Sequence, residues 1–380
     1  MDRWTNGIKT EDTKINKEKC KIKNLFFDIL KKNAYNEIDL PILNYAETYI
    51  INNRFSSAQS HFKSIAPNGE VMSLPNDIVT GLISYSQKDL LKAGKMCATS
   101  QKFSFLPNEN EKVNDYSIVA IDYGKSGEEV ESDVILVAFN FAKQLGIKEP
   151  KIIISNTEIF QGILNTFAQQ KETKERLVKI MSGKIENDVD YATSQLLNTI
   201  KNIEGPGTII QELAQKTDNQ ESIDGLLNLF EIYTIFEAYN IDADMIVKPA
   251  YLGKHYYDKG VVFEITDENR KPIIYGGRCD CIKGKETIQC VYMEVDVNNA
   301  IEIGIKNNIL NDDSKAVIIA VAESRIAMHT AIKLKEDCIA EGLIVDVKYK
   351  VKEQDIINLI KQNQGKAVLF VDEKGDIKHN

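Results

Sequence analysis

At 380 residues the chain is longer than one hydrophobic core usually spans, so two or three domains are expected. Its 43% apolar and 27% charged residues exclude a disordered protein, and a formal charge of −9 argues against a general nucleic-acid binder, which needs clustered Lys and Arg in excess. The charged N-terminus, apolar runs as short as Val134 to Phe139 and six scattered cysteines predict a cytoplasmic protein with no membrane span and no disulfide framework.

The first predicted helix covers residues 17–33, with Ile22, Leu25, Phe26, Ile29 and Leu30 on one stripe. An extended segment from Tyr35 ends at Pro41. Residues 134–144 read as a helix and Lys151 to Ser155 as a buried strand, with a break at Gly146. From about 157 to 240 the pattern is helical: Leu196, Leu197, Ile200 and Ile203 form one stripe closed by Gly205-Pro206-Gly207, and Ser222 is the candidate N-cap of a second, rich in Leu, Ile and Phe. Val261 to Ile265 and Ile273 to Tyr275 suit strands joined by a turn at Asp267-Glu268-Asn269.

The last segment, 315–380, alternates strands (316–321, 343–347, 367–371) with helices (325–340, 354–362), which predicts a small α/β domain with a largely parallel sheet. Its first helix carries Ile326, Thr330, Leu334 and Cys338 at four-residue spacing. From Lys315 onward eleven Lys and Arg face ten Asp and Glu, a balance that offers a nucleic acid little to hold.

Residues 103–122, FSFLPNENEKVNDYSIVAID, resemble motif 2 of histidyl-tRNA synthetases and their relatives, whose frame runs roughly FRYEPPQAGRYREFxQxGxE. Phe103, Pro107, Asp115, Tyr116 and Asp122 keep like-for-like positions. The arginine that in that family grips the α-phosphate of ATP is Ser104 here, and the glutamate two residues on is Leu106. Tyr35 to Pro41 resembles motif 1, whose strand lies at a subunit interface. Ser73 to Ile78 resembles the LRPDxT segment, with Asn76 at the position of the substrate-contacting acid. Gly253 to Ile265, with Tyr256 and Tyr257, and Gly276-Gly277-Arg278-Cys279-Asp280 resemble the paired strands RGLDYYTGxVFE and GGRYD, although Leu252 stands for the arginine, His255 for the aspartate and Cys279 for the tyrosine. Motif 3 would fall at Cys290 to Ala300, which contains no arginine; Asn298 or Asn299 is its nearest counterpart.

The resemblance implies an α+β class II synthetase fold over residues 1–310, an antiparallel sheet with a helical insertion at about 157–240, followed by a shortened anticodon-binding-like domain at 315–380. It places Asn76, Ser104, Asp122, Tyr256, Tyr257, Gly276, Gly277 and Arg278 in a vestigial ligand pocket. Two glycines before Arg278 would let the backbone approach a ligand and the guanidinium hold an anion, or else mark a strand-end turn.

Other signals point nowhere in particular. The CxCx8C set Cys279, Cys281 and Cys290 lacks a fourth ligand, so no metal is expected. His61, His255, His329 and His379 read as surface or packing residues, and Gly124-Lys125-Ser126-Gly127 as a turn.

A site without a fixed guanidinium cannot hold a transferring phosphate. The frame with its chemistry removed resembles the regulatory subunits of ATP phosphoribosyltransferase, synthetase paralogues that do not aminoacylate. That resemblance implies no cofactor, no catalytic residues, a homodimeric core, and a short-form ATP phosphoribosyltransferase catalytic subunit as partner in a hetero-octamer. It implies feedback control of the first step of histidine biosynthesis. The alternative is a synthetase-like binding or sensing module without aminoacylation.

Overall fold

The computed structural model describes residues 13–51, 54–55, 62–86, 93–103, 114–125, 127–168, 170–183, 185–186, 188–241, 243–255, 258–283, 286–309, 316–363 and 366–379. The chain divides into two compact units, Met1–Leu310 and Asn311–Asn380.

The first unit is built on a nine-stranded sheet. In chain order its strands are β1 (Asn36–Glu37), β2 (Gly94–Phe103), β3 (Asn114–Tyr123), β4 (Lys151–Asn156), β5 (Gly205–Pro206), β6 (Asp244–Val247), β7 (Val261–Thr266), β8 (Pro272–Lys283) and β9 (Glu286–Val295). Across the sheet they run β1-β2-β3-β9-β8-β7-β4-β6-β5. Every neighbouring pair is antiparallel except β1 with β2 and β4 with β6. The turn at Asp267 forms because its carboxylate accepts from the backbone N–H groups of Asn269 and Lys271.

Side-chain alternation along the strands creates two faces with separate cores. Helix α1 (Thr13–Lys32) buries Ile22, Phe26, Ile29 and Leu30, the stripe read from the sequence. On β3, Val119, Ile121 and Tyr123 pack with Ile78, Val79, Leu82 and Ile83 of α2 (Ile78–Ser86). Ile118 and Ala120 pack on the other side, with α1 and with Val134, Ile135 and Ala138 of α3 (Glu128–Gln144). These are the α2 face and the α3 face below.

The segment 157–240 is helical as expected: α4 (Thr157–Phe167), α5 (Lys171–Met181), α6 (Tyr191–Lys201), α7 (Ile209–Gln215) and α8 (Gln220–Ala238). Ser222 does not cap α8. Asn219 does, accepting from the Ser222 N–H, while the buried Ser222 hydroxyl donates to the Ile159 carbonyl and ties α8 to α4. Helix α9 (Val297–Lys306) follows β9, capped by Asp296.

The second unit holds β10 (Ala316–Val321), α10 (Arg325–Ala340), β11 (Ile344–Tyr349), α11 (Ile356–Gln362), β12 (Ala367–Val371) and β13 (Ile377–His379), in the sheet order β11-β10-β12-β13. β10 pairs in parallel with both β11 and β12; β13 is antiparallel. The expected stripe of α10 holds at Leu334, which packs against the core, and at the buried Cys338, but not at Ile326, which is 62% exposed. Ala327 and Ala331 are buried in the first half of the helix, where small side chains let its axis approach the sheet closely. Among the described residues no helix is long and apolar enough to cross a membrane.

Candidate functional site

The α2 face carries a polar cluster assembled from five separate stretches of chain. At its centre is Glu294 on β9, 3% exposed in a strand whose neighbours are apolar. Its carboxylate accepts from the Ser117 hydroxyl of β3 at 2.8 Å, from Lys102 Nζ of β2 at 2.9 Å and pairs with His255 Nε2 at 3.0 Å; Lys254 Nζ lies 3.6 Å away. Lys102, Ser117 and Glu294 meet because all three occupy the α2-facing register of adjacent strands.

His255 sits in the loop between β6 and β7. That loop starts at Gly253, whose φ is +76° and whose missing Cβ leaves room for the Asp258 carboxylate, which would otherwise be 2.1 Å away. Asp258 then accepts from the His255 backbone N–H at 2.8 Å and from the Tyr292 hydroxyl at 2.7 Å. The imidazole lies edge-on to the Tyr292 ring, centroids 5.4 Å apart, and its Nδ1 is 4.0 Å from Asp77. Asp77 is fixed at the start of α2, accepting from the Val79 N–H at 2.9 Å.

These contacts set the charges. Burial alone would neutralise Glu294, but Lys102, Lys254 and His255 outweigh it and hold its carboxyl well below the usual range. Burial lowers His255, yet Asp77, Glu294 and Asp258 lift it above an ordinary imidazole. Burial pushes Asp258 up to about 6, against the pull of His255 and Tyr292. Among the described residues the cluster contains two lysines and no arginine.

The expected pocket residues do not all meet here. Asn76 is half-buried, and the carboxylate that joins the cluster belongs to the next residue, Asp77. Ser104, Tyr256 and Tyr257 lie outside the described residues. Asp122 is on the α3 face: it sits 3.7 Å from Lys95, which is bonded to Asp133 of α3, and burial raises its carboxyl. Arg278 also turns to the α3 face. Its Nε bonds Asp280 at 3.1 Å and its Nη1 lies 3.8 Å from Glu131 of α3, so this guanidinium already serves two carboxylates. Strand alternation explains both departures, since neighbours Ile121 and Cys279 are the ones that face α2.

Gly276 answers a packing need rather than a ligand: a Cβ there would stand 2.1 Å from Phe263 and 2.6 Å from the Tyr292 carbonyl. Gly277 faces Val261, Val262 and Asp258. At the motif 3 position, Asn298 approaches Asp115 at 3.5 Å and Asn299 donates to the Pro272 carbonyl at 2.8 Å. Cys279 and Cys290 are buried core thiols opposite one another on β8 and β9.

The residues that organise the cluster, Glu294, His255, Lys102 and Asp77, were not picked out from the sequence. One signal was available: Glu294 interrupts an apolar strand run, and a buried acid needs cations nearby. On the side of Asp77 away from the imidazole lies a small cavity of about 10 Å³, lined by residues including Tyr49, Pro75 and Ser100.

Comparison with known proteins agrees with this architecture. Residues 11–287 match the family model described as histidyl-tRNA synthetase. Proteins called ATP phosphoribosyltransferase regulatory subunit from Clostridium acetobutylicum and Clostridium novyi are both 22% identical, over 84% of this chain and 85% of the relative in the first case and 95% and 90% in the second. Among solved structures, an ATP phosphoribosyltransferase regulatory subunit/histidyl-tRNA synthetase from Bacillus halodurans superposes with a TM-score of 0.77 at 18% identity, covering 97% of this chain and 98% of that one. The histidyl-tRNA synthetase of Nostoc sp. PCC 7120 gives 0.78 at 14%, covering 100% and 97%. With a model matched over more than half its length and the sheet described above, the chain belongs to the histidyl-tRNA synthetase family and has its class II fold.

Proposed function

We propose that the chain is a non-catalytic regulatory subunit of ATP phosphoribosyltransferase, acting at the first step of histidine biosynthesis. The observation that carries this reading is the charge arrangement of the α2 face. Aminoacyl-adenylate formation needs fixed cations free to meet phosphate oxygens, and here Lys102 and Lys254 are committed to the buried Glu294. The position expected for a motif 3 arginine is an asparagine beside a carboxylate. Relatives that align over most of both chains carry the regulatory-subunit name, which supports the same reading.

A regulatory subunit must interact differently with active and inactive states of its partner, since equal binding shifts nothing. The partner is a short-form catalytic subunit, and the assembly a hetero-octamer around homodimers of this chain. The two-fold contact is expected at the segment near Pro41 that resembles motif 1, where β1 is the edge strand of the sheet. Sedimentation of the isolated chain should give a dimer or a multiple of one.

The deciding experiment is co-expression with a short-form catalytic subunit. The two should co-purify, with phosphoribosyl transfer from the mixture well above that of the catalytic subunit alone and lowered by histidine. A catalytic subunit that neither binds this chain nor changes rate in its presence would overturn the proposal.

A further inference from the structure

Strand β11 lies at one end of the second unit's sheet and among the described residues pairs with β10 alone, so a row of its backbone N–H and C=O groups points away from the sheet. It is six residues long, against three for β13 at the opposite end. Val345 and Val347 pack against the core of the unit, whereas Ile344 and Tyr349 are 54% and 51% exposed. The face opposite the two valines carries Asp346 and Lys348, both exposed and paired with each other at 3.0 Å. A charge on an edge strand normally deters a second strand. Here two charges of opposite sign stand two residues apart, a pattern that complements itself when the strand is turned around.

We propose that β11 is a docking edge for a second copy of this chain: it pairs antiparallel with the other copy's β11 about a two-fold axis through Val347, joining two four-stranded sheets into one. In that register Asp346 stands opposite Lys348 of the second copy and Lys348 opposite its Asp346, so two ion pairs merge into a quartet of alternating charge. On the other face Val345 meets Tyr349 of the second copy, an aromatic and β-branched pair that covers an exposed ring. Other registers fail. A two-fold axis normal to the sheet sets residues of like parity opposite one another; centred on Asp346 or Lys348 it opposes like charges, and centred on Val345 it leaves Val347, Lys348 and Tyr349 unpaired. This contact lies on the second unit and the two-fold expected near Pro41 on the first, so neither depends on the other or on a catalytic partner.

The test is sedimentation equilibrium of the full-length chain. Asp346→Lys and Lys348→Asp, both at exposed positions, set like charges face to face and should each lower the mass of the assembly at least twofold, whatever the first unit contributes. Combining Asp346→Lys with Lys348→Asp exchanges the charges and should restore the mass. Register is read by oxidation and non-reducing electrophoresis. Paired Cα atoms lie about 5 Å apart across such a ladder, within disulfide reach, so Val347→Cys should form a covalent dimer absent from the unaltered chain. Tyr349→Cys should not, although that position is the more exposed, because its two copies would stand about 13 Å apart. Unchanged mass in both single variants, a double variant no heavier than the singles, or cross-linking at 347 no faster than at 349 would overturn the proposal.

Discussion

Glu131 of α3 and Arg278 of β8 face each other across 3.8 Å, and the glutamate side of this pair is completely buried. Burial pushes the Glu131 carboxyl up to about 7, although Asn228 and Arg278 pull it down. A raised acid contributes stability through its protonated form. That contribution is fully present below the ordinary glutamate range and is lost as pH rises through 7, about 3 kcal/mol in order of magnitude. Glu131→Gln should therefore match the unaltered chain near pH 5 and melt a few degrees higher at pH 8.5. Parallel pH profiles of melting temperature would refute this account of Glu131.

Glu294 offers the opposite case, a buried acid kept ionised by cations. Glu294→Gln leaves Lys102, Lys254 and His255 facing one another without their counter-charge, and removing one partner of a buried pair costs about 3–5 kcal/mol. His255 titrates above its ordinary value, so its share of that stability is complete below about pH 6.5 and disappears as pH rises through the folded-state value. Urea unfolding should show the full loss at pH 6 and a smaller one at pH 9. A loss below about 1 kcal/mol at pH 6 would mean that the cluster is solvated.

Two adjacent glycines should respond very differently to alanine. At Gly276 the new Cβ meets the buried Phe263 ring and a backbone carbonyl, neither of which can give way, whereas at Gly277 its nearest neighbour is 3.1 Å off. Overpacking of this kind costs about 1–3 kcal/mol or more. Gly276→Ala should lower the denaturation midpoint clearly and Gly277→Ala much less; the reverse ranking would contradict the close approach at Gly276.

The purified chain should not support histidine-dependent exchange of pyrophosphate into ATP, nor charge tRNA. Exchange clearly above the no-enzyme control would end the non-catalytic reading.

The fold was largely legible because each motif keeps its frame: Pro41, the paired glycines 276 and 277, and the apolar stripe of α1 mark the order of elements even where the reactive side chains are gone. The site was less legible, for a geometrical reason. Motif letters record adjacency along the chain, while a strand sends neighbours to opposite faces. Asp122 and Arg278 were therefore assigned to a pocket that they back onto. His255 and Glu294 come together from positions 39 residues apart, and no spacing rule within either segment announces the meeting. On α10 only the first half of the stripe departs, for a simpler cause: Ala327 and Ala331 are poor markers of burial beside an isoleucine that proves to be exposed.

The bonds from Ser117 and Lys102 to Glu294 span 177 and 192 residues of sequence. β3 gains its second neighbour only when β9 arrives, after the entire helical segment has been synthesised. Loop closure over such a separation is entropically costly, and sheets dominated by distant pairings fold slowly. During synthesis the long edge of β3 waits unpaired, the situation in which strands recruit wrong partners. Refolding from urea, followed by tyrosine and tryptophan fluorescence, should accordingly be slow and should yield more aggregate as protein concentration rises, and a fast, concentration-independent recovery would argue that β3 is shielded earlier by other means.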